Sequence, residues 1–112
     1  MYYLEIVTLS VGETCAALGK AHGVEFGAPV PELGLARTAR LKHGGLLGVR
    51  APMRSTETPV VRPYVLVDDI DAAIKAAEAS GAEVAMHPMA ISGRGKFAIY
   101  RLGGIDHGLW QL

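Results

Sequence analysis

The stretch RPYVLVDDIDAAIKAAEASGAEV, residues 62–84, sets the fold. RPYVLV (62–67) is rich in apolar and β-branched side chains, as a strand requires. Asp68 or Asp69 then stands where a helix start needs an acceptor for its free N–H groups. Ile70, Ala73, Ile74 and Ala77 follow at three- and four-residue spacing, which makes one apolar stripe. Gly81 stops the helix, and EVAM (83–86) turns back to strand. HPMAISGRG reads as a Pro/Gly loop, and KFAIYRL (96–102) and HGLWQL (107–112) as the last two strands.

Upstream the same order is met once before. YLEIVTLSV (3–11) reads as a strand, GETCAALGKAH (12–22) as a short helix ended by Gly23, and VEF (24–26) as a short strand. GAPVPELG (27–34) is a loop, and LARTARL (35–41) and LLGVRAP (46–52) are strands around the HGG turn at 43–45. Equivalent residues recur at nearly constant spacing: Glu25 and Glu83 at 58, Ala28 and His87 at 59, Gly48 and Gly108 at 60, Leu41 and Leu102 at 61. An internal repeat of this kind outranks any single element as a sign of architecture. The expected fold is α+β: two tandem βαβββ modules, 1–52 and 60–112, joined by a linker at 53–59. Each module alone leaves one sheet face bare. Paired modules of this sort form a curved mixed sheet around a cleft, and clefts at module interfaces are common ligand sites.

Bulk composition narrows the function classes. A chain of 112 residues fits one domain, with 50% hydrophobic residues to build its core. Basic and acidic residues number 11 each, so the basic excess of a nucleic-acid binder is missing. No apolar run approaches the ~20 residues of a membrane span. MYYLEIVTLS lacks the basic start of a signal peptide, and Cys15 has no second cysteine to pair with; both point to the cytoplasm.

The residues at 62–84, HPMAISGRGKFAIYRL (87–102) and the closing GGIDHGLWQL resemble the vicinal oxygen chelate superfamily. This is the glyoxalase, bleomycin-resistance and dioxygenase group. The likeness spans nearly the whole chain and is similar to small glyoxalase-like proteins of unassigned reaction. It implies a glyoxalase-like fold, a small-molecule ligand and a homodimer. Metal-using members place ligands on the first and last strand of each module, and the resemblance carries these places to Tyr3, Ala51, Arg62 and Gln111. Ala51 has no donor, Arg62 is a permanent cation, Tyr3 ligates only as a phenolate, and Gln111 offers a neutral oxygen. That set predicts a metal-free protein with no cofactor.

If Tyr3, Glu5, Arg62, Tyr64 and Gln111 face the cleft, they suit an organic ligand. Arg62 can fork a carboxylate, the tyrosines give flat apolar faces, and Glu5 is a candidate acid–base group. Glu5 and Arg62 can equally be a cross-strand ion pair. His87, before Pro88, is a further candidate at the cleft mouth; His22, His43 and His107 fall at a helix end and at turns. Alternation puts Phe97 and Tyr100 on opposite faces, and sends Trp110 away from Gln111, toward the helix–sheet core or a partner. ISGRGKF (91–97) reads as a flexible loop or a lid. Three functions remain open. One is metal-free binding of a small anionic or aromatic molecule. Another is a metal-dependent lyase, isomerase or dioxygenase. The last is a structural or regulatory domain with a filled cleft.

Overall fold

The computed structural model describes residues 1–112. In chain order the elements are β1 (Tyr3–Val7), α1 (Val11–His22), a 3-10 turn (Pro31–Leu33), β2 (Arg37–Arg40), β3 (Leu46–Arg50), β4 (Val60–Leu66), α2 (Ile70–Ala79), β5 (Glu83–Ile91), β6 (Gly95–Leu102) and β7 (Ile105–Gln111). The class is α+β with mixed strand pairing. The chain divides into two compact units, one of Met1 and Tyr3–Val61, the other of Tyr2 and Arg62–Leu112. No helix is long and apolar enough to cross a membrane.

In the first unit β3 lies between β2, antiparallel to it, and β1, parallel to it. In the second, β7 pairs parallel with β4 and antiparallel with β6, and β5 pairs with the far side of β6. The repeat survives at the level of register. Glu5 stands opposite Gly48 and Val7 opposite Arg50; Tyr64 stands opposite Gly108 and Leu66 opposite Trp110. Even the hydrogen bond that closes each parallel pair recurs, Thr8 N–H to Arg50 O at 3.0 Å and Val67 N–H to Trp110 O at 2.9 Å.

Each helix begins and ends for a local reason. Asp69 is extended, and its side chain accepts the Ala72 N–H at 3.1 Å, satisfying one of the free donors at the start of α2. Ile70 and Ile74 then fall on one side and pack with Ala98 and Leu109. α1 lacks a side-chain cap at Ser10 and stops at Gly23, which is left-handed with φ 64°. Cys15 is its buried residue.

Two stretches depart from expectation. VEF (24–26) forms no strand, so the first unit has three strands where the sequence pattern gives four. Beside β2 this segment makes a Gly27 N–H to Thr38 O bond and an isolated bridge between Val30 and Ala36. Pro29 and Pro31 remove donors a ladder would need. The Arg37 side chain satisfies the backbone instead, donating through Nε to Gly27 O at 3.0 Å and through Nη2 to Phe26 O at 3.3 Å. In the second unit the reverse occurs: the stretch from His87, expected as a loop, continues β5 to Ile91. Pro88 is tolerated there because β5 is an edge strand whose register shifts between Val84 and Met86 and again between Met86 and Met89.

Candidate functional site

Alternation along β1 turns Tyr3, Glu5 and Val7 to one side, and all three are buried. The Tyr3 ring lies over Gly48, so closely that a Cβ there would run into it. One residue pair further along, Arg50 anchors an ionic triad. Its Nε donates to Glu5 Oε2 at 2.7 Å. Nη1 and Nη2 donate to the two oxygens of Glu57 at 2.8 and 2.6 Å, a two-pronged fork. Nη1 also reaches Ala51 O at 3.2 Å. The side chains of Arg50, Glu5 and Glu57 are 4%, 10% and 18% exposed. The Glu57 hydrogen bonds, and after them those of Glu5, push the guanidinium pKa above its ordinary value against the opposing effect of burial. Glu57 itself is steadied by the Met53 N–H, which donates to Oε1 at 2.7 Å.

The second unit fills the equivalent positions with rings. Tyr64, in the place of Glu5, lies over Gly108. Trp110, in the place of Arg50, meets Tyr64 edge-on with centroids 5.6 Å apart, Phe97 at 6.1 Å and Tyr2 at 5.4 Å. Its indole N–H donates to Arg94 O at 2.7 Å, and the Arg94 N–H donates to Ile91 O at 2.9 Å. The turn expected as a flexible loop or a lid is therefore a pinned hairpin. Arg62 donates through Nε and Nη2 to Asp106 Oδ2, both at 3.1 Å, and Asp106 Oδ1 accepts from Arg101 Nε at 3.1 Å. Arg101 also lies 3.5 Å from Glu83.

The polar end of β7 corrects the sequence reading. Leu109 packs against α2, so Gln111, two residues on, turns to the same side. Gln111 Oε1 accepts the Ile70 N–H at 2.8 Å, capping α2 beside Asp69. Trp110 turns away from Gln111 as expected, but onto the face without that helix, among Tyr2, Tyr64 and Phe97, and not into the helix–sheet core. Phe97 and Tyr100 do fall on opposite faces: Phe97 joins Trp110, while Tyr100 packs against the α2 core and stacks on His107 at 5.0 Å. His87 is exposed on β5, and Glu5 takes Arg50 as its partner instead of Arg62. Gln111→Leu would leave the Ile70 N–H without its acceptor, and a loss of about 1–2 kcal/mol is expected in urea unfolding.

Arg50, Glu57 and Asp106 were not singled out by sequence reasoning. The repeat offered one signal, since Arg50 stands 60 residues before Trp110. The four places the resemblance gives to metal ligands do not fit a divalent ion: Tyr3 lies over Gly48, Ala51 has no donor, Arg62 is bound to Asp106, and Gln111 caps a helix. No three His, Cys, Asp or Glu side chains gather at a metal-binding spacing. Where the first unit lacks its fourth strand, α1 and residues 24–26 border an open groove of about 460 Å³, lined in part by Cys15, Lys20, Glu25 and Arg37.

Solved structures match this fold over 98–100% of the chain. The hypothetical protein BH1468 from Bacillus halodurans C-125 is 12% identical, with a TM-score of 0.75 over 100% of this chain and 93% of that one. Methylmalonyl-CoA epimerase from Mycobacterium tuberculosis is 12% identical, with 0.71 over 98% and 85%. A variant of the Streptomyces coelicolor epimerase in complex with 2-nitronate-propionyl-CoA is 17% identical, with 0.73 over 99% and 92%. The chain has the vicinal oxygen chelate fold. Comparison with protein-family models and with curated proteins matches none. At these identities the likeness carries the fold and leaves the reaction to the site.

Proposed function

We propose that this glyoxalase-like chain binds a small anionic or aromatic organic molecule without a metal ion, using the sheet faces turned away from the helices. The observation that carries this reading is the state of Glu5. It is the strongest metal donor on its strand, and its carboxylate is committed to the Arg50 guanidinium at 2.7 Å. On these faces positive charge is supplied by arginine, which recognises planar anions by hydrogen bonding. Half-buried Phe97 offers aromatic surface in the second unit, backed by the buried Tyr64 and Trp110 rings, with Arg62 as its cation. In the first unit the corresponding ring and carboxylate are Tyr3 and Glu5, both buried, and Glu5 is the proposed acid–base group if the ligand is transformed. Gln111 and His87 have no part in this reading, the first because its oxygen caps α2, the second because it lies exposed on the β5 edge strand.

The test pairs metal analysis of the purified chain with melting curves against zinc, nickel, manganese and iron(II), and against a panel of small carboxylates and aromatics. The expected result is no ion near one per chain, no stabilisation by any of the metals, and a melt raised by at least one organic anion, the rise falling at least tenfold in potency in Arg62→Ala. A stoichiometric ion whose addition raises the melt would replace this reading with the metal-dependent lyase, isomerase or dioxygenase.

A further inference from the structure

The geometry points to a latched carboxylate subsite in the first unit, with Arg50 as its receptor and Glu57 as a built-in occupant that an external carboxylate can displace. Arg50 is held from behind by Glu5 on Nε. That leaves Nη1 and Nη2 presented as a parallel pair of donors, and the Glu57 carboxylate sits across both at 2.8 and 2.6 Å. This is the geometry an arginine uses for a ligand carboxylate. The two glutamates differ in kind. Glu5 comes from the middle of β1 and is fixed by the sheet. Glu57 comes from the polar stretch between β3 and β4, whose residues are mostly exposed and which is bounded by Pro52 and Pro59. A Glu57 N–H to Arg54 O bond at 3.1 Å and the Met53 N–H to Oε1 bond at 2.7 Å fold that stretch over the guanidinium.

Exchange of one carboxylate for another conserves the charge and both hydrogen bonds at Arg50. The barrier to a free ligand is therefore mainly competition. A tethered carboxylate on a short linker acts at an effective concentration of order mM, so a free one must exceed that concentration to enter. Deleting the tethered group removes the competitor and leaves Arg50 still neutralised by Glu5. The subsite is independent of Arg62, which belongs to the second unit, so either reading can fail while the other stands.

The experiment measures benzoate binding by calorimetry and by melting temperature in the native chain, Glu57→Ala and Glu57→Gln, with benzamide as the uncharged control. Glu57→Gln keeps an oxygen for the Met53 N–H and cannot accept both prongs of the fork, so it separates loss of the latch from loss of the linker fold. Benzoate is expected to bind both variants at least tenfold more tightly than the native chain and to raise their melting temperatures, with no effect of benzamide. Adding Arg50→Lys to Glu57→Gln, which keeps a cation for Glu5 and abolishes the fork, is expected to remove the gain; adding Arg62→Ala is expected to leave it. Equal benzoate affinity in the native chain and both variants, or a gain that survives Arg50→Lys, would overturn the proposal.

Discussion

Arg50→Met is expected to destabilise the chain by about 3–5 kcal/mol, the scale for stripping a buried ion pair of one partner. The loss comes from what remains. Glu5 is 10% exposed and would keep its carboxylate in a site built around a cation, while Glu57, at 18%, can swing toward water. Urea unfolding of Arg50→Met, Glu5→Gln and the double variant separates the two contributions. The double variant is expected to recover more than half of the loss, because a neutral amide costs far less to bury than an unpaired carboxylate. Losses that simply add would show that Arg50 acts through packing and not through the triad.

Gly108→Ala carries the second large effect, about 3 kcal/mol or more, as expected for forcing an extra carbon into a filled core. The added Cβ would meet the Tyr64 ring and lie 2.7 Å from the Pro63 carbonyl oxygen. Tyr64 is 3% exposed and packed edge-on against Trp110 and Phe97, so the ring has no empty space to take. Shrinking the ring should relieve much of the strain, so Gly108→Ala with Tyr64→Leu is expected to be more stable than the sum of the single losses predicts. Urea midpoints and indole fluorescence measure both, since Trp110 reports the packing of that ring set. Full native stability in Gly108→Ala would mean that the β4–β7 register differs from the one described.

The helices were legible because their signals are local. Asp69, the Ile70–Ile74 stripe and Gly23 each act within one or two turns, and each does what its spacing foretold. The repeat was legible in the 60-residue spacing of Gly48 and Gly108, and the structure sets each glycine opposite a first-strand residue of its unit, Glu5 and Tyr64. The parity of β7 was not, for a physical reason. Gly108, Leu109 and Trp110 are all buried, so the strand shows no polar–apolar alternation to orient it, and the amide of Gln111 looked like a ligand when it was a cap. VEF has strand composition, yet its backbone is met by a side chain from β2 that no local window contains. The site hid for the same reason. Glu5 and Arg50 are 45 residues apart, and Glu57 lies in a stretch whose composition says only that it is polar.

The Arg37 guanidinium, described as a substitute for missing strand pairing, also bears on how this chain behaves in a crowd. With a net charge of zero and an isoelectric point near 6.9, two copies meeting at neutral pH feel almost no mutual repulsion. Colloidal stability then depends on the shape of the sheet margins, where an open row of amides invites a neighbouring chain to add itself. β2 carries a cation folded across its neighbouring carbonyls, and β5 carries a proline and two breaks in register. These margins act as fibril guards in a molecule whose charge supplies no such protection.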